Sequence, residues 1–160
     1  MKQKRAEQEQ EKTPTVLVVD DNQQNLELLV AYLEGMDCET VPAYDGPEAL
    51  KIVAESPPDL ILLDVMMPKM SGFEVCKRIK NDSKTADIPI IMVTALNEFG
   101  DIERGIDSGT DDFISKPVNK LELTTRVKTM LKLKHLSDKL ERTLAYLSEI
   151  EKQAQAAKSD

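Results

Sequence analysis

Three short, uninterrupted apolar runs punctuate the chain: VLVV at 16–19, LILL at 60–63 and IIMV at 90–93. Each is too short for a helix and too continuous for a strand with one solvated face. Each therefore reads as a strand buried on both sides, as in a parallel sheet. CETV at 38–41 and DFIS at 112–115 are weaker strand candidates that bring the series to five. They recur about every 20 to 30 residues, the spacing that alternating strand and helix units need.

Amphipathic stretches fill the gaps. Leu26, Leu29, Val30 and Leu33 fall at i, i+3, i+4 and i+7, with Gly35 as a stop signal. Three later helices start with capping-box spacing, Asp45 to Glu48, Ser71 to Glu74 and Asn119 to Glu122. Ser56-Pro57-Pro58 closes the second helix, because proline has no amide proton and disfavours helical geometry in the residue before it. A fourth helix over 97–108 contains Gly100 and Gly105. Each glycine costs about 1 kcal/mol relative to alanine, so this helix is expected to be locally weak and suited to a switch surface.

After residue 132 the pattern becomes a heptad seam. Leu133, Leu140, Leu147 and Ala154 occupy a positions, and Leu136, Thr143, Ile150 and Ala157 occupy d positions. Such a repeat predicts that the last helix leaves the domain and pairs with a second copy as a two-stranded coiled coil. The other reading is a single helix that folds back or frays. The domain plan is a disordered polar leader over 1–13, one α/β domain over 14–132, a heptad-patterned helical extension over 133–157 and a tail over 158–160. The composition of 156–160 also reads as disordered.

Composition narrows the function. The 160 residues are 41% hydrophobic and 31% charged, which suits one globular domain with a polar extension. The net charge of -8 argues against direct nucleic-acid or anionic-membrane binding, since phosphates are held mainly by clustered Lys and Arg. No apolar run nears the roughly 20 residues that span a bilayer, and the leader is too charged for a signal peptide, so a cytoplasmic location is expected. Cys38 and Cys76 lack metal or redox spacing and read as buried free thiols. His135, the only histidine, reads as a surface residue, and no glycine-rich phosphate loop is present.

The strands end in polar residues: Asp20 and Asp21 after the first, Asp64 after the third, Thr94 after the fourth and Lys116 after the fifth. In an open parallel sheet the carboxyl ends share one edge, where ligands bind. Singly, each residue has an ordinary structural role open to it, such as a helix cap, a local backbone bond or a solvated lysine. Together they make a chemical site. Three carboxylates and one ammonium leave it two charges negative, which would repel a phosphoryl donor unless a divalent cation joins. Magnesium suits such a set, since it takes one or two carboxylates, waters and phosphate oxygens. A carboxylate oxygen can then attack phosphorus in line.

VLVVDDN at 16–22, LILLDVMMPKMSG at 60–72, IIMVTAL at 90–96 and GTDDFISKP at 109–117 resemble the receiver domain of bacterial two-component response regulators, the CheY-like superfamily. The likeness covers about 15–131. It implies a flavodoxin-like, doubly wound five-stranded parallel sheet of order 2-1-3-4-5. It implies that Asp64 accepts a phosphoryl group from a histidine kinase or phosphotransfer protein, with Mg2+ held directly by Asp21, Asp64 and the backbone carbonyl of Met66 and through water by Asp20. Lys116 would pair with the phosphate, across a cis bond to Pro117. Thr94 would move to a phosphoryl oxygen, and Phe113, where tyrosine is commoner, would turn inward behind it. Met66 and Leu96 stand where hydrolytic water approaches, so apolar side chains there imply slow loss of the phosphoryl group.

On this reading the chain is a phosphorylation switch rather than a turnover enzyme. It would relay its state through the face of the fourth helix, fifth strand and fifth helix, and then along the C-terminal helix. RVKTMLKLKHLSDKLERTLAYLSEIE, from residue 126, resembles linkers that precede cyclic-dinucleotide synthases, phosphodiesterases or cyclases. The output domain would then lie outside this chain. A stand-alone regulator acting by partner binding is the alternative. An aspartate-nucleophile phosphatase fits less well, because its Asp-x-Asp follows the first strand. A flavin carrier fits least, because the first loop is acidic where a flavin phosphate wants donors.

Overall fold

The computed structural model describes residues 12–95 and 99–159. Five parallel strands, β1 (Thr15–Val19), β2 (Glu39–Ala43), β3 (Leu60–Asp64), β4 (Ile90–Thr94) and β5 (Asp112–Ser115), form one sheet of order β2-β1-β3-β4-β5. Helices α1 (Gln23–Leu33), α2 (Gly46–Glu55), α3 (Gly72–Asn81), α4 (Phe99–Ser108) and α5 (Lys120–Lys158) alternate with them. This is the flavodoxin-like arrangement that the apolar runs and the resemblance implied.

Strand alternation divides the core between the two faces. Leu17, Val19, Ile61, Leu63, Ile90 and Met92 pack with residues of α2 and α3, whereas Val16, Val18, Leu60, Leu62, Ile91 and Val93 pack with residues of α1 and α5. β3 and β4 are buried along their whole length, which is why their sequences carry no alternating polar positions. The registers pair Val19 with Leu63 and Asp64 with Val93, so neighbouring strands end nearly level.

The capping residues act as their spacing predicts. Asp45, Ser71 and Asn119 accept from the backbone N–H of Glu48, Glu74 and Glu122 at 2.8, 3.3 and 3.0 Å. Asn22 does the same for α1 through Asn25. Gly35 is not a left-handed cap, since Glu34 closes the helix in right-handed geometry and its N–H donates to Ala31. Ser56 caps α2 ahead of the two prolines. Cys76 is buried as expected, but Cys38 is only half-buried.

The leader over 1–11, and Asn97 and Glu98 at the expected start of the fourth helix, lie outside the described residues. At the other end the helix runs further than composition suggested. α5 is a single 39-residue helix to Lys158, so 156–158 are helical rather than disordered. Its first turns bury Leu123 and Val127 against the sheet. Where it leaves the domain, Lys134 Nζ contacts Asp87 at 3.1 Å and Asp138 at 2.6 Å. From Leu133 on, Leu133, Leu136, Leu140, Leu144, Tyr146, Leu147 and Ile150 are all exposed. The helix does not fold back to cover them. No helix among the described residues is long and apolar enough to cross a membrane.

Candidate functional site

Asp64 is the last residue of β3 and Thr94 the last of β4, while Asp20 and Lys116 each stand one residue past a strand. The ladder extends just far enough to fix the last two. Asp20 N–H donates to Ala43 O at 3.1 Å, and Lys116 N–H to Thr94 O at 2.8 Å. The Lys116-Pro117 bond is cis. Asn22 N–H donates to Asp20 Oδ1 at 2.9 Å, which orients that carboxylate.

Asp20, Asp21 and Asp64 each offer a carboxylate oxygen, and those atoms all lie within 4.8 Å of one another. Asp20 is 1% and Asp64 5% exposed, whereas Asp21 faces solvent. Lys116 Nζ donates to Asp64 Oδ1 at 3.2 Å and to Asp20 Oδ2 at 3.3 Å. Thr94 is buried at the same edge. Met66 stands two residues past Asp64, with its side chain 69% exposed. Leu96 is outside the described residues.

The electrostatics follow from the packing. Burial raises the Asp64 carboxyl, the Asp20 charge raises it further, and Lys116 opposes both, leaving a pKa of about 6. Burial works against the Lys116 ammonium, but Asp64 and Asp20 outweigh it, and its pKa is raised. The donor set is hard oxygen, grouped and only partly neutralised, which fits a small divalent cation such as magnesium. A second acidic group, Asp87, Asp138 and Glu141, is mostly exposed, and Lys134 lies against two of its members. It reads as a surface ion-pair cluster.

Gly72 shows how closely the site is built. A Cβ there would overlap the carbonyl oxygen of Asp64 and lie 2.8 Å from Val65 Cα, so only glycine lets α3 begin this close to the end of β3. Two features were not visible in the sequence: the sharing of one ammonium between Asp20 and Asp64, and the orientation of Asp20 by Asn22. The first depends on pairs 96 and 52 residues apart. The second had a local signal, since an Asp two residues before an N-cap asparagine can accept from its N–H.

The chain matches the sequence model of the response regulator receiver domain over residues 16–128. It is 45% identical over 125 residues to the response regulator PleD of Caulobacter vibrioides, an alignment covering 78% of this chain and 28% of PleD. It is 40% identical over 119 residues to RpaA of Synechocystis, a DNA-binding dual master transcriptional regulator, covering 74% of this chain and 49% of RpaA. The chain thus spans half or less of these relatives. A CheY-like response regulator receiver domain protein from Methanospirillum hungatei has a similar structure, with a TM-score of 0.73 at 25% identity, covering 79% of this chain and 99% of that one.

Proposed function

The chain belongs to the response regulator receiver domain family, and we propose that Asp64 is its phosphoacceptor in a magnesium-dependent switch. Receivers of this family are generally non-enzymatic signalling switches that accept a phosphoryl group and typically bind Mg2+ at an acidic pocket. The single observation that carries the proposal is the grouping of Asp20, Asp21 and Asp64 with Lys116 Nζ 3.2 Å from Asp64 Oδ1.

In this proposal Asp20, Asp21, Asp64 and the backbone carbonyl of Met66 would hold Mg2+, which would supply charge neutralisation for the phosphoryl oxygens. An Asp64 oxygen attacks phosphorus, and the bond to a phosphohistidine nitrogen on a histidine kinase or phosphotransfer protein breaks. Lys116 then exchanges its contact with Asp64 for the phosphoryl oxygens, and Thr94 hydroxyl donates to one of them. Phe113 is then favoured in its inward position behind Thr94. The exposed, apolar Met66 positions no water, so the acyl phosphate decays over minutes to hours.

Readout runs through the α4-β5-α5 face to the C-terminal helix. The exposed apolar stripe from Leu133 to Ile150 supports homodimerisation along that helix. The output lies beyond that helix, in a partner that the helix and the α4-β5-α5 face engage or in a domain joined to them.

Intact mass and sedimentation with magnesium and acetyl phosphate test the proposal. The wild type should gain one phosphoryl mass and Asp64→Asn none. No gain in the wild type, or an equal gain in the variant, would overturn it.

A further inference from the structure

Phe113 lies on β5, half-buried against the sheet face that carries α2 and α3. Its ring reaches the backbone of α4 at Gly105. A Cβ placed on Gly105 would overlap the Cζ edge of that ring and come within 3.5 Å of Met92 Sδ. The obstruction is a rigid aromatic edge rather than the end of a flexible chain. The preceding residue, Arg104, places its guanidinium carbon 4.6 Å from the centroid of Phe73 on α3. A cation over a ring face is attractive, so α4 is held toward α3 on one side and spaced from β5 by the ring on the other. Glycine in a helix costs about 1 kcal/mol relative to alanine. Here the ring fills the space that the missing side chain leaves.

We infer that Gly105 is a positioning residue for Phe113: the bare backbone at 105 is the seat that holds the ring inward between β5 and α4. The inference rests on the receiver reading, in which phosphorylation of Asp64 shifts the Phe113 ring further toward the inward position that it already occupies against Gly105. Coupling between two sites is reciprocal. If a phosphoryl group on Asp64 favours the seated ring, then a side chain that unseats the ring weakens phosphoryl binding. Phe113 is only half-buried, so the ring has an outward path while the strand beneath it stays paired.

The test uses beryllofluoride, a phosphoryl mimic, with magnesium, on the full chain. Gly105→Ala should weaken its binding by about fivefold or more, at the low end of typical coupling. In a Phe113→Ala background the same substitution should change binding by less than about twofold, because the ring that it displaces is gone. A second readout needs no cation: the chain has three phenylalanines, and labelling with 3-fluorophenylalanine gives each a 19F resonance. The Phe113 signal, assigned with Phe113→Leu, should move toward the solvent-exposed position in Gly105→Ala.

An equal loss of binding in both backgrounds, or a Phe113 signal that does not move, overturns the seat. If Gly105→Ala alone does not fold, recovery of folding in the double variant with Phe113→Ala supports the seat, and a double variant that also fails to fold overturns it. A wild type that takes up neither beryllofluoride nor phosphoryl groups overturns the receiver reading, and this inference with it. A wild type that takes them up with the same affinity as Gly105→Ala overturns this inference alone.

Discussion

Lys116 Nζ lies 3.2 Å from Oδ1 of Asp64 and, from the same position, 3.3 Å from Oδ2 of Asp20. One ammonium therefore serves two carboxylates that are almost wholly removed from water. A single positive charge does not compensate for the desolvation of both. The remainder falls on Asp64, whose pKa of about 6 stands above the ordinary carboxylate value because of burial first and Asp20 second.

That shift has a stability consequence with a definite sign. A raised carboxyl pKa means that the folded state binds the proton more tightly than the unfolded chain does. The stabilisation is then fully present below about pH 4 and is lost as pH rises through about 6. Asp64→Asn should therefore stabilise the protein in EDTA at pH 7.5, on the order of 2 kcal/mol, with the gain disappearing near pH 4. Urea unfolding of both proteins at pH 7.5, 5.5 and 4 measures it. A variant less stable than wild type at pH 7.5 would show that the Lys116 contact outweighs the burial of charge.

Magnesium should act on the same imbalance. At pH 7.5 a concentration about one hundred times the dissociation constant should stabilise the folded protein by about 2.7 kcal/mol, since a ligand of the folded state alone shifts unfolding by mass action. Asp20→Asn and Asp64→Asn should lose most of that gain. Thermal midpoints with and without magnesium measure it, and an equal rise in the variants would remove these carboxylates from the ligand set.

The strands were legible because β3 and β4 are buried on both faces, and a short, unbroken apolar run with no polar alternation is what a strand covered on both sides requires. The candidate site was legible because the ends of β1, β3, β4 and β5 place polar residues on one edge. The Phe113 seat was not. Gly105 reads in sequence as a weakness of the fourth helix, and the ring that justifies it comes from another element. The end of α5 runs past its expected boundary for a related reason: alanine is rare in packed seams but is the strongest helix former, and Ala154, Ala156 and Ala157 keep the helix intact to Lys158.

Gly72 offers a geometric test of how Asp64, the proposed acceptor, is held. In Gly72→Ala the added Cβ meets backbone on both sides, at Asp64 O and Val65 Cα, so neither neighbour can yield by a side-chain rotation. The end of β3 or the start of α3 must move. The expected cost is about 1 to 3 kcal/mol, with a slower phosphoryl gain from acetyl phosphate because Asp64 is displaced. Unfolding midpoints and the time course of intact mass report the two effects. A variant with unchanged midpoint and rate would mean that the loop after β3 adapts without disturbing the carboxylate.

The exposed seam separates pairing from folding. Leu140 and Leu147 are 59% and 51% exposed and touch no part of the receiver core, so charges there should cost the single chain no more than about 0.5 kcal/mol. In a paired helix the same side chains would be buried, and opposed like charges would add repulsion. On the proposed pairing, Leu140→Lys with Leu147→Lys should convert the dimer to a monomer in sedimentation velocity while leaving the proposed phosphoryl uptake at Asp64 unchanged. Thr143 interrupts the apolar seam. Its hydroxyl donates to Lys139 O at 2.9 Å within its own helix, and the neighbouring Leu144 is among the exposed apolar residues. The apolar stripe therefore steps from Leu140 to Leu144 and then to Leu147, departing locally from a strict heptad and favouring a looser coil there. Replacing Thr143 by leucine should tighten the dimer, and a weaker dimer in Thr143→Leu would place Leu144 rather than Thr143 in the seam.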